Sequence, residues 1–421
     1  MRRSASPGFA LAVLTAIGTV GFIDRIVVNV LVEPLKAEFG LSDAQIGLLG
    51  FAFAALQILF GLLFARLAER VRRLSLVAVG VALWSLATAA CGLVTSWGQL
   101  LAARMAVGVG EAVGLPSNQS VVADYFPPER RATAMSVLLL SPPLGMFIGS
   151  AGGGWIGQEW GWRAAFFAAA VPGFVLAAVA FLFVAEPKRG GYDIGDVDRV
   201  PPVREIFARL RRLSSARHLV AGSALAALTG FGLTAFIAAL LMRRFDFSLV
   251  EAGLATGLLA SLPAGLSVFG GGWLADRLGR TRPAAYGLVP AVSLALAVPI
   301  YFAAMAQDTA LALLGLVTLS TLLQYSFLGL TIGTLQNLMH PRMRASTSAL
   351  LNIVYGFAGG IGPLLVGALS DRIAGGGVDE GRALGAAMAA STLVYLWAAF
   401  HYWRASRLVG SDLAAAREGR V

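Results

Sequence analysis

"RMAVGVGEAVGLPSN", from Arg104 to Asn118, decides how this chain is read. It has the glycines and valines of a membrane helix, yet it carries Arg104 and Glu111. A charge at the centre of a bilayer costs at least ~2.5–3.5 kcal/mol on insertion scales. An arginine and an acid kept there need partners, a task, or both. Their spacing puts them on one helical face, ~10 Å apart along the axis.

The rest of the chain fits a membrane setting. Of its 421 residues 57% are hydrophobic and 13% charged, where a soluble domain carries roughly 25% charged residues. Mean hydropathy is +0.75. Apolar runs recur along the whole length, each long enough to cross ~30 Å of hydrocarbon. The expected spans are residues 9–32, 44–65, 74–96, 98–123, 133–157 and 163–185, then 219–241, 251–275, 283–305, 309–338, 346–370 and 383–404. Clusters such as "VEPLKAEFGLSD", "DYFPPERR" and "MHPRMRAST" punctuate them. The fold class is therefore all-α integral membrane, with twelve transmembrane helices in two pseudo-symmetric six-helix bundles. The charged start "MRRSASPGFALAVL" leads into an apolar run reaching Val32, with no small-residue cleavage site after it, and reads as an uncleaved first span.

The net charge of +10 does not point to nucleic acid. With both termini cytoplasmic, 25 of the 33 lysines and arginines fall in cytoplasmic segments, and the outside loops hold Lys36, Arg163, Arg243, Arg244, Arg372 and Arg382. That asymmetry is the positive-inside pattern. The expected location is a cell membrane, the inner membrane of a bacterium. Cys91 is the single cysteine, which excludes an intrachain disulfide, and it reads as an apolar packer. His218, His340 and His401 fall at cytoplasmic span ends and are expected to lie far apart, forming neither metal site nor triad. No enzyme constellation emerges, and neither metal nor organic cofactor is expected.

Two halves are visible in sequence. "ARLAERVRR" (Ala65 to Arg73) returns 207 positions later as "GWLADRLGR" (Gly272 to Arg280), with a weaker echo in "GALSDR" (Gly367 to Arg372). Nested three-helix repeats produce this spacing. The expected division is 1–185 for the first bundle, 186–218 for a cytoplasmic linker, and 219–421 for the second bundle with its tail. In the linker, Ile206, Phe207, Leu210 and Leu213 share one helical face, which suits an amphipathic helix on the membrane surface. A merely solvated linker is the other reading.

Four charged residues lie well inside spans: Asp24, Arg25, Arg104 and Glu111. All belong to the first and fourth helices, at depths that let them form one neutral cluster. A static ion-pair network would hold those helices together, although its desolvation cost offsets its attraction. Intramembrane carboxylates more often mark proton or ion pathways. Making and breaking these contacts changes proton affinity, which a proton-coupled cycle requires. "GVGVGEAVG" follows no strand, so its glycines serve close helix packing, not a dinucleotide, and "SPPLGMFIGSAGGGWIG" reads likewise. Asn29 and Asn118 add polar groups to the first half as candidate cavity lining. The second half offers Thr229, Phe231, Thr234, Gln324, Tyr325, Asn352 and Tyr355, for which interhelical packing and cavity lining are both open.

These pieces carry a resemblance. "FIDR" (Phe22 to Arg25), "ARMAVGVGEA" (Ala103 to Ala112), "ADYFPPERRATAM" (Ala123 to Met135), "GWRAAF" (Gly161 to Phe166) and "LADRLGR" (Leu274 to Arg280) resemble the major facilitator superfamily, most closely its bacterial Spinster-like transporters. The resemblance implies that Asp24 and Glu111 are proton-sensing acids, that Arg25 and Arg104 are their partners, and that the substrate is amphipathic, anionic and lipid-like. It also implies a conformational latch at Glu69, Arg70, Arg73, Asp276, Arg277 and Arg280. Ala65, Glu69 and Arg72 depart from the superfamily pattern of the first-half loop. The expected partners are the substrate, protons and membrane lipids, and the expected state is a monomer. A small organic-anion/proton symporter and a multidrug-type efflux protein are the alternatives.

Overall fold

The structure, a computed structural model, describes residues 6–189, 203–339 and 343–417. The chain is helical almost throughout. The first half holds α1 (Pro7–Val30), α2 (Val32–Phe39), α3 (Asp43–Arg70), α4 (Arg73–Cys91), α5 (Trp97–Glu111), α6 (Gly114–Tyr125), α7 (Pro128–Leu138), α8 (Ser141–Trp160) and α9 (Trp162–Phe183). The second holds α10 (Val203–Arg212), α11 (Ser214–Phe245), α12 (Leu249–Gly279), α13 (Ala285–Met305), α14 (Ala310–Gln324), α15 (Phe327–Leu338), α16 (Arg344–Ala374) and α17 (Glu380–Arg417).

Local chemistry sets several boundaries. Ser42 caps α3 by accepting from the Gln45 amide, while the Gln45 side chain accepts from the Ser42 amide. This reciprocal pair satisfies two donors at the helix start. Ser96 caps α5 by accepting from the Gln99 amide, without the reciprocal bond. Eleven described helical segments are long and apolar enough to cross a membrane. The remaining expected span, 98–123, is interrupted: α5 has 15 residues and α6 has 12, with Ala112 and Val113 between them. Together they complete the twelve passes of an all-α membrane fold. A second break, at Tyr325 and Ser326, separates α14 from α15.

Contacts divide the chain into two compact units, Met1–Gly195 with Thr234–Ser261, and Asp196–Leu233 with Leu262–Val421. In the first, α8 lies along α1 through its glycines. A Cβ on Gly149 would sit 2.9 Å from the Ile23 Cα, and one on Gly145 would meet the Thr19 carbonyl. Without side chains there, the two backbones approach closely, which bears out the packing reading of this stretch. The same unit's core gathers Leu14, Ile17, Val77, Val81, Trp84 and Val107. In the second unit, Gly362 lies against the Leu228 carbonyl, and Tyr301, Tyr395 and Tyr402 are fully buried.

Two expectations change. His218 and His401 do not lie apart: their Nδ1 atoms are 2.9 Å from each other, one ring donating and the other accepting. Sequence cannot show that α11 and α17 run side by side. His340 lies outside the described residues. Among the described residues no group of three or more His, Cys, Asp or Glu could hold a metal. The amphipathic linker helix exists as α10, but Ile206 and Leu213 are buried in the protein and Arg209 donates to the Leu338 carbonyl. Phe207 remains exposed. The helix is docked on the second unit, not resting by its whole apolar face on lipid.

Candidate functional site

Asp24 and Arg25 sit on α1, Arg104 and Glu111 on α5, and the structure brings all four together in the first unit. They form two pairs in place of one undivided cluster. Arg104 Nη1 lies 3.3 Å from Asp24 Oδ1 and 3.4 Å from the Asp24 carbonyl oxygen. Arg25 grips the other acid, with Nε and Nη2 each 2.6 Å from Glu111 Oε2. Asp24, Arg104 and Glu111 are buried, while Arg25 keeps about a third of its side chain exposed. Neighbouring α1 residues point ~100° apart around a helix, so Asp24 and Arg25 meet different levels of α5.

Three residues complete the site that sequence reasoning did not single out. Thr88 on α4 donates its hydroxyl to Asp24 Oδ2. Gln57 on α3 donates to Glu111 Oε2 at 3.3 Å. The Phe53 ring lies under both guanidinium groups, 5.3 Å from Arg25 and 5.1 Å from Arg104, and Arg25 also covers Phe22. Thr88 and Gln57 carried a faint signal as polar residues in apolar spans. Phe53 carried none, because a phenylalanine in a membrane helix looks like any other. Two polar atoms in this site are buried without a protein partner: Glu111 Oε1 and Arg104 Nε. A buried polar group left unmatched calls for a reason.

The loop motif builds a second charged cluster at the start of α4. Arg73 donates to Asp124 Oδ2 at 2.6 Å, to Ser120 Oγ at 2.7 Å and to Glu186 Oε1 at 2.9 Å. The other Glu186 oxygen accepts from the Leu74 amide, which gives the helix start an anion. Arg189 donates to the carbonyls of Ala68 and Val71. Neither Asp124, inside two quoted motifs, nor Glu186, at the start of the linker, was singled out in sequence. Arg70 is exposed, and the side chain of Glu69 lies outside the described residues. In the second unit Asp276 accepts from the Tyr286 hydroxyl at 3.3 Å, Arg277 covers the Trp273 ring, and Arg280 is exposed.

The cavity candidates divide. Thr229 is fully buried and donates to the Leu225 and Ser391 carbonyls, which is the packing role. Gln324 bonds Ser320 and Tyr395 inside the second unit. Asn118 is buried, while Asn29, Thr234, Tyr325 and Tyr355 are half-buried. Phe231 and Asn352 are exposed.

A family model described as Major Facilitator Superfamily matches residues 13–363. The chain belongs to that superfamily. Its family and fold are those of membrane transporters, not of enzymes. An "MFS-type efflux pump" of Mycolicibacterium smegmatis is 35% identical over 416 residues, covering 96% of this chain and 94% of that protein. "Protein spinster homolog 1" of Bos taurus is 27% identical over 399 residues, covering 88% of this chain and 74% of its own. A solved bacterial homolog of the human lysosomal transporter Spinster, in an inward-facing and occupied conformation, superposes with a TM-score of 0.88. It is 28% identical, with 98% of this chain and 99% of that one covered. The chain is thus similar both to an efflux pump and to Spinster transporters of the superfamily.

Proposed function

We propose that this transporter is proton-coupled, that Asp24 and Glu111 carry the protons, and that its substrate is an amphipathic, anionic, lipid-like molecule. The observation that carries the reading is Glu111: one carboxylate oxygen is held by Arg25 and Gln57, and the other is buried with no protein partner. An oxygen in that position is where a carboxyl can carry a proton. Protonation releases Arg25, as it releases Arg104 from Asp24. A guanidinium binds carboxylate and phosphate in the same forked geometry, so an anionic headgroup can take the vacated place. Alternating access then follows from exchanging proton for headgroup on the same two arginines.

The proposed setting is a bacterial inner membrane with both termini cytoplasmic, following the distribution of lysine and arginine. Labelling of a cysteine placed at Gly376 from the cytoplasmic side alone would overturn that orientation.

The coupling is tested in proteoliposomes with an imposed pH gradient and a lysophospholipid as the probe. Glu111→Gln and Asp24→Asn keep side-chain size and lose titration, so each abolishes gradient-driven accumulation and leaves a folded protein. Accumulation with wild-type pH dependence in either variant refutes the role of that acid. The efflux-pump relative supports a second reading, multidrug-type efflux. Proton-driven movement of an organic cation such as ethidium, with none of the lysophospholipid, would select it.

A further inference from the structure

Arg104, Gly108 and Glu111 follow one another on a single face of α5, at the i, i+4, i+7 spacing of a helical stripe. The middle member is a glycine for a reason visible in α3. A Cβ on Gly108 would collide with the backbone carbonyl of Phe53. The missing side chain lets the α3 backbone press against α5 between its two charged positions. Phe53 is buried there, and its ring meets both guanidinium groups at about 5 Å. Gln57, four residues along the same face of α3, reaches Glu111. α3, which brings no charge to this site, thus touches three of its four charged residues.

The chemistry of that contact is specific. An aromatic face attracts a guanidinium through its quadrupole, yet it offers no hydrogen-bond acceptor within the ring plane for the guanidinium to choose over a carboxylate. Arg25 turns Nε and Nη2 to Glu111 and Arg104 turns Nη1 to Asp24, while both guanidinium carbons lie over the ring. We propose that Phe53 is a positioning residue of the transport cycle, keeping Arg25 on Glu111 and Arg104 on Asp24, so that each acid gains or loses its own arginine and no other. This rests on the reading of Asp24 and Glu111 as the proton-carrying acids. It adds that partner choice is set by an uncharged side chain on a third helix.

The test uses the full chain in lipid nanodiscs and reads its melting temperature from pH 4 to pH 9. Phe53 is replaced by its mono-, di- and trifluorinated analogues, which weaken the cation–ring attraction in steps with little change of shape. Phe53→Tyr and Phe53→Leu complete the series, and the fluorinated set carries the test even if the Leu variant fails to fold. With each fluorine the midpoint of the pH-dependent melting moves to higher pH, reaching about half a unit for three, because a less firmly held guanidinium stabilises its carboxylate less. Phe53→Tyr keeps the wild-type midpoint. In the Asp24→Asn/Glu111→Gln double variant the pH-dependent step is gone and the fluorine series moves nothing. A midpoint that ignores fluorination, while the double variant still abolishes the step, leaves the proton reading standing and overturns the role of Phe53. A double variant with the wild-type profile removes the proton reading and the proposal with it.

Discussion

Arg243, near the end of α11, is held as firmly as any charge in the first unit. Its Nε and Nη2 reach Glu33 Oε1 at 2.8 and 2.7 Å, and its Nη1 and Nη2 reach the two Asp43 oxygens at 2.8 and 2.7 Å. Arg243 and Asp43 side chains are 6% and 3% exposed. The cluster ties α11 to the connection that leads from α1 through α2 into α3, on the side of the membrane that the proposed orientation makes external. In the alternating-access cycle proposed above, it is expected to open when the substrate site faces outward. Truncating one partner of a buried ion pair costs about 3–5 kcal/mol. Asp43 keeps Lys36, 2.8 Å away, so the lower end applies to Arg243→Ala. At 1.36 kcal/mol per tenfold, a loss of about 3 kcal/mol from the state that holds the cluster raises the population of a state without it roughly a hundredfold. Reaction of a cysteine at Asn29 with a membrane-impermeant maleimide, in a Cys91→Ala background and right-side-out vesicles, measures it. Arg243→Ala should accelerate labelling by one to two powers of ten, and Lys36→Ala far less, since Arg243 still holds Asp43 through both oxygens. Equal labelling in wild type and Arg243→Ala would refute the argument that this cluster closes the external side.

Three further outcomes are expected. Arg104→Lys keeps the charge and loses the fork, so calorimetry with a lysophospholipid should show anion affinity falling about tenfold, the worth of one charge-assisted hydrogen bond; unchanged affinity places the headgroup elsewhere. Gly149→Ala forces a Cβ to within 2.9 Å of the Ile23 Cα, whereas Gly152→Ala meets nothing within 4 Å; thermal unfolding should register a loss of about 1–3 kcal/mol for the first and none for the second, and equal effects would remove the packing explanation. Glu38 accepts hydrogen bonds from Arg163 and Trp162, and the Arg163 hydrogen bond chiefly holds its carboxyl below the usual range. A lowered acid stabilises the fold at pH above its unfolded value and loses that contribution as pH falls through its folded value. Melting between pH 6 and pH 3 should therefore decline less in Glu38→Gln than in wild type, and parallel curves would contradict it.

The spanning helices were legible because each is an apolar run of spanning length bounded by turn residues, from Pro7–Val30 to Glu380–Ala416. The break after Glu111 was not, since Ala112 and Val113 are as compatible with a membrane helix as their neighbours. The four intramembrane charges announced themselves by their cost in lipid. Their pairing did not: helical spacing places Arg104 and Glu111 on one face of α5, but which arginine of the site meets which acid depends on how α1 is rotated against it. Contacts between distant segments were silent for the same reason. Arg73 meets Asp124 and Glu186 across 51 and 113 residues of chain, and His218 meets His401 across 183. Periodicity within one helix reports the face it turns to its neighbours, not the identity of those neighbours.

The two helix breaks relate chemistry to architecture. Glu111 is the last residue of α5 and Gln324 the last residue of α14, and each precedes a two-residue interruption before α6 or α15 resumes. Both side chains are buried, at 5% and 4% exposure. Their surroundings differ in kind. Gln324 donates to Ser320 Oγ at 2.8 Å and accepts from the Tyr395 hydroxyl at 3.0 Å, so neutral groups meet both ends of its amide. Glu111 needs Arg25 and Gln57 on one oxygen and leaves the other without a partner. Neutral Ser320 and Tyr395 are the partners of Gln324, so a carboxylate at 324 would be a buried charge without a counterion among them, an arrangement that destabilises strongly. One backbone feature, repeated by the internal symmetry of the fold, thus carries a titratable group only where α1 supplies an arginine. In the proposed cycle, proton chemistry therefore belongs to the first half, where Arg25 and Arg104 stand beside the acids, and the amide at 324 keeps the equivalent break in the second half polar without a titrating group.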